Sequence, residues 1–417
     1  MTASLAPIAA LLLSVAFLLT GNGLLGTLLP IRASIEMFST LEIGILGSSY
    51  YLGFAAGCIF GPRLVHRVGH IRAFTAMVAI VSAAALVHAM VSNPLIWWLL
   101  RAATGFCFAA LFVIIESWLN ERSTNTTRGT IFSIYTIINL SVITLGQLMI
   151  ILYDPATFSL FAIASILVSI AAVPVAMSVA QAPNQIESTK IRIPHLFKLS
   201  PVGFCGCLVV GLANGSFWAL GPIFAQQSGM RISDIAIFMS VTVIAGALSQ
   251  WPLGRMSDTY DRRTVILGVC LGGVLSGIFM ILFGQTWESG ILVFSFFFGA
   301  FALPLYAISV AHTNDFAAPE DYVEVGSGLL LAYAVGAVIG PFVASGFMTY
   351  AGPNGLFGFT VLVHAALAVF TVYSLRMHAR PPEDARATFN ESLLIANTTS
   401  AINPASEQSS TPETSRS

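Results

Sequence analysis

Charged side chains are scarce in this sequence. Asp, Glu, Lys and Arg together make up 9% of its 417 residues, whereas they make up roughly 25% of a soluble domain. Apolar residues take their place, at 56% of the chain and with a mean hydropathy of +0.84. This composition excludes a soluble globular protein and predicts an all-α protein that crosses the lipid bilayer many times.

Lysine is rarer still, since the chain contains only Lys190 and Lys198. Neither belongs to a Walker A sequence, so direct coupling to ATP is excluded. The sequence also lacks an H-E-x-x-H motif, a nucleophile and base arranged as in an enzyme, and a basic stripe that would bind nucleic acid. We therefore expect no catalytic residue, no metal, no cofactor and no nucleic-acid partner.

Cysteine gives no sign of disulfide or metal chemistry. All five cysteines fall within apolar runs, without metal-ligand spacing or an extracellular pairing pattern, at Cys58, Cys107, Cys205, Cys207 and Cys270. We interpret them as small side chains of the core.

Apolar runs of about 20 residues, the length that spans a bilayer as a helix, are abundant. They lie near residues 6–30, 42–64, 71–91, 95–120, 128–152 and 156–180, and again near 201–227, 233–256, 263–284, 288–313, 324–350 and 355–376. We therefore predict four segments, namely an N-terminal six-helix bundle (1–180), a cytoplasmic linker (181–200), a C-terminal six-helix bundle (201–376) and a disordered cytoplasmic tail (377–417).

The basic residues give the predicted orientation, because Lys and Arg accumulate in short cytoplasmic loops. Nearly all of them lie in alternate loops, in the linker or in the tail, and only Arg32 and Arg231 lie on the other side. Both termini should therefore be cytoplasmic. The loop between the tenth and eleventh runs breaks the pattern, because it has no Lys or Arg and carries Asp315, Glu320, Asp321 and Glu324.

The two sets of six runs are copies of each other. The matched positions, at an offset of 192 residues in the first helices and 194 in the fourth, include Asn22 and Asn214, Pro30 and Pro222, His66 and Asp258, and Glu121 and Asp315. Chance matching of apolar helices explains scattered Leu or Gly identities but poorly explains coincident Asn, Pro and acidic positions. Parallel six-helix repeats are typical of alternating-access carriers.

The loop between the eighth and ninth runs carries the most specific motif. Its sequence, GRMSDTYDRR from Gly254 to Arg263, follows the pattern G-x-L-a-D-r-x-G-r-r, with Met256 in place of Leu and Asp261 in place of the second Gly. On this motif the chain resembles the major facilitator superfamily, which implies twelve helices in two pseudo-symmetric bundles. The first-half counterpart, Pro62 to Arg72, has His66 in place of the usual Asp.

The resemblance implies that these loops make charge and helix-end contacts that hold one gated state. The residues to which we assign this gating role are Asp258, Arg262, Arg67, His66 and Gly69. Anchoring by the positive-inside rule is the alternative, and we favour it for Arg63 and Arg72.

Arg101 begins the sequence RAATG, which resembles a fourth-helix signature, R-x-x-q-G, associated in the family with proton-coupled carriers. A buried guanidinium attracts an anionic substrate group or lowers the pKa of a neighbouring carboxyl. The alternative is a structural Arg near the outer interface, which Trp97 and Trp98 mark.

Glu116 lies on the same predicted helix, in a segment, ESWLN, that is similar to the bacterial YcaD-like branch of the family. A carboxyl in apolar surroundings can exchange a proton near neutral pH, as a coupling site requires. The alternative is an inner gate in which Glu116 pairs with Arg67 or Arg128. The two charges of the helix are about 22 Å apart along its axis, so they do not form a direct ion pair.

The repeated pair Asn22 and Asn214 could meet a substrate from both halves, or could hold helices together. Further candidates for a cavity wall are polar or aromatic residues of the apolar runs, namely Asn139, Tyr306, Trp218, Tyr50, Tyr51, Gln147, Gln226 and Tyr333.

We therefore expect a secondary active transporter in the bacterial inner (plasma) membrane. It would work as a monomer and move a small organic solute by alternating access, with proton coupling. The alternative is a solute sensor or scaffold that keeps this fold without transport. The sequence identifies neither the substrate nor the direction of transport.

Overall fold

The computed structural model of the protein describes residues 8–123, 127–177, 193–287, 289–318 and 321–377. In these ranges, twelve helices are long and apolar enough to cross a membrane. The all-α architecture with twelve spans is therefore confirmed. Residues 181–192 of the predicted linker and 378–417 of the predicted tail lie outside the described residues.

The first half contains α1 (Ala9–Ile35), α2 (Thr40–Val68), α3 (His70–Met90), α4 (Pro94–Glu121), α5 (Arg128–Leu148) and α6 (Ser159–Ile170). The second half contains α7 (Pro201–Gln227), α8 (Ile232–Thr259), α9 (Arg262–Phe283), α10 (Gly290–Ala302 and Leu305–Asn314), α11 (Tyr322–Ala351) and α12 (Gly355–Met377). A short linker helix, Ile193–Leu199, precedes α7. Its Leu196 is fully buried against residues of α7, α10 and α11.

Three spans depart from single regular helices. α5 continues as a 3₁₀ turn, Met149–Leu152, and α6 continues after Ala171 as Ala172–Ala176. α10 is interrupted at Leu303 and Pro304, although the apolar run through this region predicts one continuous helix. Proline has no backbone N–H and its ring crowds the preceding turn, so a break at Pro304 is the expected local result.

Local sequence determines where α2 begins and ends. The Ser39 hydroxyl accepts a hydrogen bond from the Glu42 backbone N–H (3.3 Å), and the Glu42 carboxylate accepts one from the Ser39 backbone N–H (2.7 Å). This capping box satisfies backbone donors that the first turn leaves unpaired. At the other end, Gly69 has φ +92°, a conformation that favours glycine, and it alone separates α2 from α3.

The outer surface of the helices is apolar. Trp251, Val369 and Leu52 expose 70%, 71% and 59% of their surface, respectively. Side chains of this kind are stable against lipid hydrocarbon, and water would not favour them over so many positions. The packing thus agrees with a protein that is surrounded by a bilayer.

The two halves meet closely at one end, along a contact that we call the seam. Gly44 and Gly47 of α2 face Pro341 and Ser345 of α11, and Gly47 also faces Ala219 of α7. A Cβ atom at Gly44 would lie only 2.7 Å from the Pro341 carbonyl oxygen, so the two backbones are in direct contact. The seam therefore closes one end of any space between the halves.

Candidate substrate cavity

A cavity of about 360 Å³ lies between the two halves, next to the seam. Residues from α1, α2, α4, α5, α7, α8 and α11 line it, and most of them are apolar. Its polar and large aromatic lining residues include Asn22, Tyr50, Tyr51, Arg101, Gln147, Trp218 and Tyr333. Arg101 is the one charged residue among those that line this cavity in the described part of the chain.

Close packing of α2 against α4 places Arg101 at the cavity. Gly105 lies against the Tyr50 carbonyl and Gly53 against the Ala102 carbonyl, with no room for a side chain at either glycine. Because these backbones touch, the Arg101 guanidinium lies over the Tyr50 ring, 4.3 Å from the ring centre. This is a cation–π contact, which stabilises the charge without neutralising it.

Arg101 has no counter-charge in the described ranges. None of the carboxylates described there forms an ion pair with it. Its Nε atom is buried and has no hydrogen-bond partner among the described residues. A charged group at membrane depth costs several kcal/mol unless a partner or water compensates it, so this guanidinium is ready to bind an anion.

Aromatic rings connect the two halves across the cavity. Tyr50 and Tyr51 of α2 are in edge contact at 5.4 Å, and Tyr51 meets Tyr333 of α11 at 6.5 Å. Tyr333 in turn contacts Tyr306 of α10 at 5.4 Å. Tyr306, a predicted cavity residue, thus lies behind Tyr333 and is not among the residues that line the cavity.

The two repeated asparagines differ in their surroundings. Asn22 lines the cavity and is close enough to Tyr50 for a side-chain hydrogen bond. Asn214 is 5% exposed, and its Nδ2 donates to the Ala302 carbonyl at 3.4 Å, beside the break in α10. The structure therefore puts Asn22 at the candidate site and puts Asn214 between helices.

Glu116 lies in α4 away from the cavity and is 2% exposed. It is close enough to Cys58 on α2, Tyr135 on α5 and Tyr306 on α10 for electrostatic interaction. The predicted cavity residue Asn139 lies one turn after Tyr135 on α5 and does not line the cavity. The predicted gate partner Arg67 is exposed, and the side chain of Arg128 lies outside the described residues.

The predicted gating loop of the second half forms a buried charge cluster, which we call the arginine cluster. Arg262, whose side chain is 2% exposed, contacts the Asp258 carboxylate at 3.0 Å and the Asp315 carboxylate at 3.3 Å. Its Nε also donates to the Ser257 carbonyl. The cluster accounts for one of the four acidic residues of the loop between α10 and α11, because Asp315 provides the counter-charge for Arg262.

The adjacent pair Asp261 and Arg263 begins α9. The Asp261 carboxylate accepts hydrogen bonds from the Arg263 backbone and guanidinium, at 2.9 Å for the closest guanidinium contact. Burial alone would raise the pKa of the Asp261 carboxyl, but the hydrogen bonds and charge of Arg263 outweigh it and lower this pKa. The carboxylate therefore stays ionised and fixes the start of the helix.

The equivalent loop of the first half is built differently. His66 and Arg67 are exposed at the end of α2, and Gly69 makes the turn. His70, at the position equivalent to Arg262, is buried and lies 3.4 Å from the Ser117 hydroxyl on α4. The first half therefore has histidine where the second half has the arginine of its cluster.

Some residues of the site carried no signal in the sequence that would have revealed their role. The pairing of Arg262 with Asp315 joins positions 53 apart, and only the unusual acidity of one loop pointed to it. The seam glycines Gly44 and Gly47 look like ordinary small residues of an apolar helix.

A two-bundle, twelve-helix membrane protein with a cavity between its halves has the architecture of a solute transporter. The family model for the Major Facilitator Superfamily matches residues 11–287 and 203–407. The chain belongs to this superfamily. It is therefore a multi-pass membrane transport protein and not an enzyme.

Curated relatives support the same placement. The chain is 26% identical over 369 residues to YcaD, an uncharacterised MFS-type transporter of Escherichia fergusonii, covering 88% of this chain and 94% of that protein. It is 27% identical over 379 residues to an uncharacterised MFS-type transporter of Yersinia pestis, covering 90% of this chain and 97% of that protein. The resemblance to the YcaD-like branch is thus confirmed.

Solved structures agree with the fold. The nucleoside transporter NupG superimposes with a TM-score of 0.73 at 15% identity, covering 88% of this chain and 98% of that chain. A bacterial homologue of the human lysosomal transporter Spinster, in an inward-facing and occupied conformation, gives 0.71 at 15% identity, with 91% and 98% covered. At these identities the likeness concerns the fold alone.

Proposed function

We propose that this transporter moves a small organic solute by alternating access through the cavity beside Arg101, and that it couples transport to protons at Glu116. The observation that supports this most is the position of the cavity. It lies between the two halves, directly beside the seam that closes one end. A solute bound there would leave or enter when the seam opens.

The position of the seam supports a proposal about the conformational state of the carrier. The seam joins the ends of α2 and α11 that the positive-inside pattern places outside the membrane. We infer that the structure is the state closed toward the outside, with both termini and the basic loops in the cytoplasm. We further propose that the protein works as a monomer in the bacterial inner (plasma) membrane.

In this proposal the arginine cluster belongs to the gate. It lies at the ends of the helices opposite to the seam, within the second half. The arginine cluster would dock against the loop between α2 and α3 when the halves close at the cytoplasmic end. His66, Arg67 and Gly69 belong to that loop and would form the docking surface.

Glu116 is the proposed coupling residue because it is a buried carboxyl with neighbours from both halves. Its neighbours Tyr135 and Tyr306 belong to different halves, so the environment of the carboxyl changes when the halves move. A change in environment alters the proton affinity of a buried acid, as coupling requires.

The coupling test uses purified protein in liposomes that contain a pH-sensitive dye. A ligand found by thermal shift is added outside, and proton movement is followed on addition. We expect wild-type uptake to depend on an imposed pH gradient and Glu116→Gln to lose that dependence while it still exchanges ligand.

The matched control is Glu121→Gln, which removes an exposed carboxylate from the end of the same helix. This variant should keep the proton flux of the wild type. Uptake by the wild type that ignores the pH gradient would contradict proton coupling, and a complete lack of uptake or exchange would contradict the carrier.

A further inference from the structure

We infer that the cavity takes monoanionic organic solutes in which a carboxylate is joined to a flat apolar body, with the carboxylate bound by Arg101. This inference names the substrate class of the proposed carrier and rests on that proposed function. It follows from the charge, the hydrogen-bonding geometry, the lining and the size of the cavity.

Charge is the first reason. The described lining contains one cation, Arg101, and no anion. Moving a guanidinium away from bulk water without a partner is costly, and a ligand that brings one negative charge removes that cost. A cationic ligand would add a second positive charge to the same small space, and a dianion would leave one negative charge uncompensated.

Geometry is the second reason. The Arg101 guanidinium lies over the Tyr50 ring, with its central carbon 4.3 Å from the ring centre. Its buried Nε has no hydrogen-bond partner among the described residues, so the hydrogen-bonding capacity of the group is not used up within the protein. A guanidinium presents parallel donors, which match the two oxygens of a carboxylate.

The aromatic lining is the third reason, because it matches the flat apolar body of the ligand. Trp218, Tyr51, Tyr333, Phe54 and Phe112 surround the cavity with aromatic rings. Rings of this kind stack on flat apolar groups or meet them edge to face. Asn22 and Gln147 add a few hydrogen-bonding groups, which would orient a substituent.

Size limits the ligand further. The cavity of about 360 Å³ lies near the lower end of the range of roughly 300–1,000 Å³ that is typical of small-molecule sites. A single aromatic ring with a short carboxylate chain fits this volume. The seam closes the space on one side, so a much longer ligand would have to extend toward the opposite end of the helices.

The experiment measures binding of three matched probes to the purified full-length protein by thermal shift and by titration. They are 3-phenylpropanoate, its amide 3-phenylpropanamide, and the amine 3-phenylpropylamine, which share one carbon skeleton and differ in charge. We expect the carboxylate to raise the melting temperature and the other two to have little effect.

Arg101→Gln should weaken binding of 3-phenylpropanoate by about 10- to 100-fold, since hydrogen bonds to charged groups contribute about 1.5–3 kcal/mol. Arg101→Lys should recover part of the loss, because it restores the charge without the planar pair of donors. Arg72→Gln removes an exposed arginine from α3 and should bind 3-phenylpropanoate like the wild type.

Three results would overturn the inference. They are equal binding of the carboxylate and the amide, binding of the carboxylate by Arg101→Gln that equals the wild type, and no binding of the carboxylate at all. Transport of a neutral or cationic ligand would contradict this substrate class but leave the proposed carrier intact. Binding of the carboxylate at Arg101 without any exchange across the membrane would support the class and contradict the carrier.

Discussion

At the scale of single residues, the two halves use equivalent side chains for different purposes. Asn22 and Asn214 match in the sequence repeat, yet one lines the cavity and the other bonds a backbone carbonyl. Their neighbouring helices also differ, because α10, which accepts the hydrogen bond from Asn214, is interrupted at Leu303 and Pro304, whereas its counterpart α4 is unbroken.

This difference predicts opposite effects of the same substitution. Asn22→Ala should weaken ligand binding severalfold and leave the melting temperature almost unchanged. Asn214→Ala should lower the melting temperature, with a loss of about 1 kcal/mol for the missing hydrogen bond, and should leave ligand affinity nearly unchanged. Thermal unfolding and ligand titration of both variants check this. Equal effects of the two variants on both measurements would contradict the assignment.

Polar and large aromatic side chains within apolar runs are the single residues from which the sequence predicts a cavity. Arg101, Asn22 and Trp218 were predicted for the cavity, and the structure puts all three in its lining. Polar groups in apolar runs are costly, so each one is a strong signal in the sequence itself. Asn139 and Tyr306 carried the same signal but do not line the cavity. Asn139 lies on the same face of α5 as the lining residues Ile143 and Gln147 but one turn before them, and a sequence does not give how far along a helix a cavity extends.

At the scale of helices, the arginine cluster holds the ends of α8, α9 and α10 together. Arg262 lies at the first position of α9, Asp258 near the end of α8, and Asp315 just after α10. Two of these side chains are almost fully buried, while the Asp258 side chain is 40% exposed. Arg262 and Asp315 are therefore the two charges whose loss of a partner would be most costly.

Removal of Arg262 should thus lower the free energy of unfolding much more than removal of its exposed partner Asp258. Arg262→Gln leaves Asp315 buried without its counter-charge and should cost about 3–5 kcal/mol. Asp258→Asn should cost about 1 kcal/mol or less, because an exposed ion pair contributes little. The difference is measured by thermal or denaturant unfolding of the two variants in the same detergent. A larger loss of stability in Asp258→Asn than in Arg262→Gln would contradict this ranking of the two ion pairs.

The twelve spans could be predicted from apolar runs, and so could the capped start of α2 and the tight turn at Gly69. The break of α10 also has a local cause in Pro304. The contacts between helices could not be predicted, because they depend on which faces meet. Gly53 and Gly105 bring α2 and α4 into backbone contact, and nothing in an apolar run identifies that partner.

At the scale of the whole molecule, the two halves are joined at the seam beside the cavity. Gly44 and Gly47 allow α2 to touch α11 and α7 there, and a larger side chain at Gly47 would meet Ala219. An alternating-access carrier must separate these surfaces in its other state. Gly47→Leu should therefore favour the state in which the seam is open and the opposite ends of the halves approach each other.

The most direct test measures two distances between the halves by pulsed electron paramagnetic resonance. Each distance joins a spin label in the first half to a spin label in the second half. The five native cysteines are replaced, and labels are attached at Ser92 and Tyr350 near the seam end, or at Val68 and Tyr260 at the opposite end. All four positions are exposed. Gly346→Leu is the matched control, because a Cβ atom at this glycine of α11 meets no atom within 4 Å.

Alternating access predicts opposite changes in the two distances. Gly47→Leu should lengthen the distance between Ser92 and Tyr350 and shorten the distance between Val68 and Tyr260, while Gly346→Leu leaves both as in the wild type. If both distances stay unchanged in Gly47→Leu, or if both change in the same direction, the two halves do not alternate about the cavity.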